Sequence, residues 1–110
     1  MSTSPGRASS TTSSGVCAIG GGADNTILSN ATHSVIAGGF DNEIGNGATY
    51  ATVPGGSRNT AGGDYSFAAG RRAKATYDGS WVWADSANAD FASTGNDQFL
   101  TYKGGGISGF

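Results

Sequence analysis

From Gly15 onward the chain repeats itself, and the length of the repeat restricts the folds open to it. Ile19-Gly20-Gly21-Gly22-Ala23-Asp24-Asn25 aligns with Ile36-Ala37-Gly38-Gly39-Phe40-Asp41-Asn42 and with Val53-Pro54-Gly55-Gly56-Ser57-Arg58-Asn59. A fourth copy is Phe67-Ala68-Ala69-Gly70-Arg71-Arg72-Ala73, and a weaker fifth is Val82-Trp83-Ala84-Asp85-Ser86-Ala87-Asn88. The copies lie 17, 17, 14 and 15 residues apart. A unit this short holds neither a helix pair nor a propeller blade, but it suits one turn of a β-solenoid stacked on the last. Composition agrees. Twenty of the 110 residues are glycine, and glycine costs about 1 kcal/mol per helix position relative to alanine. There is no Gly-X-Y period, which excludes collagen. The predicted class is all-β, a parallel roll of about five coils near 16–33, 34–50, 51–65, 66–79 and 80–92.

The alignment columns assign faces. Ile19, Ile36, Val53, Phe67 and Val82 form an apolar column, and two residues later come Gly21, Gly38, Gly55, Ala69 and Ala84. Strand side chains alternate with period two, so both columns are expected to line the interior. Gly20, Ala37, Pro54, Ala68 and Trp83 then face outward. A second inward ladder, Ile27, Ile44, Ala61 and Ala75, follows two positions after the Asn column and is interrupted by Asp90. Asn25, Asn42, Asn59 and Asn88 read as corner residues, because asparagine tolerates positive φ and bonds neighbouring backbone.

Residues 1–15, nine of them Ser or Thr, read as a flexible leader too polar to offset its ordering entropy. In residues 93–110, Gln98 to Lys103 alternates as a terminal strand. The Gly-rich stretch that follows carries no cap, so further fibre is expected beyond it. The coils offer few and small inward side chains, so burial from a second chain is expected. Val35, Ala37, Thr52, Pro54, Ala68, Trp81 and Trp83, mostly uncharged, are the face that would supply it while hiding strand edges.

These columns resemble the head repeats of trimeric autotransporter adhesins (the YadA-like head), most closely in Ser66-Phe67-Ala68-Ala69-Gly70-Arg71-Arg72-Ala73-Lys74-Ala75. The first three copies are longer and carry Gly-Gly where that pattern has an apolar residue before glycine. Similar coils occur in phage tail-fibre-like proteins, where stretches like Trp81-Val82-Trp83-Ala84-Asp85-Ser86 followed by Asn96-Asp97-Gln98-Phe99-Leu100 end the roll. The resemblance spans about residues 16–103. It implies a left-handed roll, a homotrimer, and a structural and adhesive task on a bacterial cell surface or, alternatively, on a virion tail fibre. Host matrix protein or cell-surface glycan is the implied partner.

Residues able to do chemistry are sparse. The formal charge is −2, which gives no basic face for nucleic acid. Arg71, Arg72 and Lys74 read as a solvated turn. No apolar run is long enough to insert in a membrane as a helix. The lone His33 falls at a corner equivalent to Tyr50, and Cys17 lacks the third group a thiol–imidazole pair needs. Asp24 and Asp41 recur in register, but the period differs from that of calcium-binding rolls. No enzyme, cofactor or metal is therefore expected. Tyr77, Trp81 and Trp83 are the candidate contact patch, and a solitary sugar-binding or hydrolytic β-solenoid in which these rings stack on a sugar is a third alternative reading.

Overall fold

The chain forms a parallel β-solenoid of about five coils. The computed structural model describes residues 11–12 and 17–102, with the side chains of Thr11 and Thr12 left aside. The expected leader and Gly-rich tail thus fall mostly outside the described residues. Thr11–Thr12 (β1) nevertheless pairs in parallel with Thr26–Ile27 (β3).

Two six-stranded parallel sheets face each other across the roll. One runs β1, β3, Glu43–Ile44 (β5), Thr60–Ala61 (β7), Ala73–Ala75 (β9) and Phe91–Ala92 (β11). The other runs Cys17–Ile19 (β2), Ser34–Ile36 (β4), Thr52–Val53 (β6), Phe67–Gly70 (β8), Trp81–Ala84 (β10) and Phe99–Tyr102 (β12). A ladder of single bridges, Ala23 to Phe40 to Ser57 to Arg71, joins coils at the corner between the sheets.

Ile27, Ile36, Ile44, Val53, Ala61, Ala75 and Val82 are fully buried, and they form the core with smaller alanines. Ile19, Ile36 and Val53 stand in one column as the repeat predicts. The fourth copy is displaced by one residue. Phe67 pairs with Thr52 and Trp81, so Ala68 takes the inward place below Val82 and Phe67 faces out. Ala68 is fully buried, correcting its outward assignment. Ala69, paired with Trp83, stands outward in its place. The coil is one residue shorter at its glycine corner, where Gly70 occupies the position that Gly55-Gly56 leads to one coil earlier.

The asparagines also differ from expectation. The residue before each takes the left-handed backbone: Asp24, Asp41 and Arg58 have φ of 58°, 57° and 55°. Asn25, Asn42 and Asn59 are buried instead. Asn42 donates through Nδ2 to Gly38 O and Gly56 O at 3.1 Å, and its Oδ1 accepts Asn59 N–H at 2.9 Å. Asn25 Oδ1 accepts Asn42 N–H, and Asn59 Oδ1 accepts Ala73 N–H, so the ladder spans four coils. A buried amide bonded on both sides satisfies backbone groups that the turn removes from the sheet. At the same corner Gly22, Gly39, Gly56 and Gly70 have φ of 80° to 98°. A Cβ on Gly39 would strike Gly56 O at 2.3 Å, less than any side chain tolerates. Asn88 is exposed and outside this ladder, because Phe91 is the residue that pairs with Ala73. Asp90 likewise lies outside the second inward ladder, where Ser93 follows Ala75.

Candidate functional site

The outer faces of the two sheets have opposite character. On the β2–β12 sheet one outward column reads Ala18, Val35, Thr52, Phe67, Trp81, Phe99. The next column carries Ala37, Pro54, Ala69, Trp83 and Thr101. No residue in either column is charged. Phe67 stacks on Trp81 with centroids 5.0 Å apart, and Trp81 on Phe99 at 4.2 Å. Phe99 is 60% exposed, Trp83 37% and Val35 36%. Parallel sheets usually have both faces covered, and here this one lies open.

The outer side of the β1–β11 sheet carries charge, graded along the stack. Asp24, Asp41, Arg58 and Arg72 follow one another at the left-handed corner, beside Thr26, Glu43, Thr60 and Lys74 on the strands. The early coils are therefore acidic and the next two basic, and Asp90, paired with Arg72, brings a carboxylate back at the far end. Together they line an open groove of about 610 Å³. Arg58 lies 3.8 Å from Asp41 and 5.8 Å above the Phe40 ring. Arg72 bonds Asp90 at 2.8 Å and also donates to Asn88. Lys74 Nζ donates to Arg58 O at 2.6 Å and contacts Thr60 Oγ1 at 3.4 Å.

No family model, curated protein or solved structure matches this chain. Any candidate site therefore stands on its own geometry.

Of the predicted contact patch, Trp81 and Trp83 do share the uncharged face, in adjacent outward columns. Tyr77 lies in the turn before β10, where its carbonyl accepts both N–H and Oγ of Ser80. His33 stacks on Tyr50 at 5.3 Å, and Tyr50 on Tyr65 at 5.2 Å. All three take left-handed backbone, with φ of 58° to 59°. This strip stands on an exposed corner, whereas Cys17 packs against the core. Asp24 and Asp41 stand at equivalent corners of successive coils, in the register the repeat gives them. Among the described residues no group of three His, Cys, Asp or Glu side chains converges as metal ligands would.

The groove was not read as a unit from the sequence, although its signal is there. Asp24, Asp41, Arg58 and Arg72 occupy one alignment column, and only the change of sign midway along it hides the continuity. Treating Arg72 and Lys74 as part of a turn separated them from Arg58, one coil below.

Proposed function

We propose that this chain is a structural and adhesive segment of a trimeric surface fibre, a left-handed roll that spaces and displays binding surface on a bacterial cell. The observation that carries the reading is the open, uncharged face of the β2–β12 sheet. Exposed apolar surface of this extent favours association, and like faces of identical chains are the nearest complementary cover. The threefold count and the handedness follow from the resemblance of the repeat to adhesin head coils. Three chains packed through this face would enclose Phe67, Trp81, Val35 and Pro54 and leave the charged groove on the outside. Function then resides in the outer surface and in its repetition, with weak contacts strengthened by multivalent display.

Light scattering coupled to size-exclusion chromatography tests the assembly. The expected mass is three times the chain mass of 10.9 kDa. Trp81→Arg and Val35→Glu, which place charge on the face, should dissociate it. A folded monomer of the parent chain at micromolar concentration would overturn the trimer.

A further inference from the structure

We infer that the charged groove of the β1–β11 sheet is a binding site for an oligosaccharide ending in a single carboxylate. This rests on the adhesive part of the reading above and not on the threefold count. In a chain with only six Lys and Arg, three of them, Arg58, Arg72 and Lys74, line this one groove. Their counterions are uneven. Arg72 is held tightly by Asp90, Arg58 only loosely by Asp41. Among the described residues no carboxylate pairs with Lys74, whose ammonium rests on a main-chain carbonyl and a threonine hydroxyl. Arg58 and Lys74 thus hold donors that an incoming anion can share.

The remainder of the groove restricts what carries that anion. Asp24, Asp41 and Glu43 line one end and Asp90, paired with Arg72, the other, so a continuous polyanion meets like charge on both sides of the cations. A single acidic group does not. Carboxylates and Thr60 accept hydrogen bonds from hydroxyls, and the lining is polar almost throughout, which suits a hydroxylated ligand over an apolar acid. The volume lies within the range typical of small-ligand sites. The coil rise of about 4.8 Å is comparable to the length of a pyranose ring, so successive rings can meet successive coils. The ligand's carboxylate lies over Arg58 and Lys74, and its hydroxyls reach toward Asp41 and Glu43. The three carboxylates on the early-coil side of the cations, against the one Arg72-paired carboxylate beyond them, orient it.

The test titrates the full chain with 3′-sialyllactose, lactose, a heparin-derived hexasaccharide and inorganic phosphate at equal ionic strength, read by calorimetry or chemical-shift changes. Sialyllactose should bind, lactose and phosphate at least about tenfold more weakly, since a charged hydrogen bond is lost in one and the hydroxyl contacts in the other. Lys74→Gln and Arg58→Asn should each lower sialyllactose affinity by about tenfold or more. Asparagine is chosen at 58 because it accepts the left-handed backbone. Arg71→Gln is the control, since Arg71 donates to Ser86 O and lies outside the groove lining. Equal binding of lactose and sialyllactose overturns the assignment, as does equal binding of phosphate. So does tighter binding of the heparin fragment, indifference to both groove substitutions, salt-dependent self-association in place of saccharide binding, or no binding at all. Loss of the trimer in light scattering leaves this result unchanged, so the two failures are separable.

Discussion

Asn42→Ala probes the feature that most directly couples one coil to the next. Truncation removes the acceptor of Asn59 N–H and the donor to Gly38 O and Gly56 O. One of these losses is softened, because Gly56 O still accepts Phe40 N–H, and the backbone N–H of residue 42 keeps its bond to Asn25 Oδ1. The Asn59 N–H is the main cost. Asn59 is fully buried, and an orphaned buried donor costs about 1–3 kcal/mol. Adding a smaller penalty for Gly38 O and for the space vacated gives a loss of about 3 kcal/mol. Urea unfolding followed by circular dichroism, at one fixed protein concentration, measures it. Asn46→Ala in an exposed turn is the reference and should fall within about 0.5 kcal/mol of the parent. Asn42→Asp keeps the acceptor but buries a charge. Burial raises the folded-state pKa of such a carboxyl, so this variant should be most stable at low pH and lose stability as pH rises through that value. A loss below about 1 kcal/mol for Asn42→Ala, or one matched by Asn46→Ala, would refute the ladder as a source of stability.

Two further pairs test register and corner geometry. Val53→Asp buries an unpaired charge in the core column and should unfold the roll, at a cost of several kcal/mol, whereas Thr60→Asp on the outer strand beside Lys74 should change the melting temperature little; equal tolerance would put the register in error. Gly70→Ala should be strongly destabilising, because its Cβ would collide with Ala84 O, whereas Gly47→Ala meets no atom within 4 Å and should cost only the left-handed strain of about 1–2 kcal/mol; comparable unfolding midpoints for the two would contradict the close approach of coils at the glycine corner.

The β-solenoid class and the register of the first three coils were legible because those copies have equal length, so Ile19, Ile36 and Val53 align without gaps. Register failed at Phe67 for a physical reason. Spacing alone cannot tell whether a shortened coil loses its residue before or after the strand, and a large apolar side chain suits an inward column as readily as an exposed stack. Trp81 decides the matter by stacking on Phe67 from the coil that follows, with Phe99 stacked on Trp81 in turn, contacts visible only once the coils are superposed. Asparagine was misplaced because positive φ and backbone bonding suit both a corner and the position beside one. The left-handed strain falls instead on Asp24, Asp41 and Arg58, which frees the amides to turn inward. Of the two surfaces, the uncharged face was legible in outline from Val35, Trp81 and Trp83. The groove was not, since it joins residues that differ in sign and are separated by whole coils.

The buried asparagine ladder also separates two properties that most folds leave entangled. Corner bonds from Asn25 to Ala73 hold successive coils in step whatever happens elsewhere in the loop. The turn between Ala61 and Ser66 is two residues shorter than that between Ile44 and Ala51, yet the strands on either side remain paired. Loop length and outer side chains can therefore vary while the axial rise stays constant. A solenoid built this way keeps its length while its surface changes.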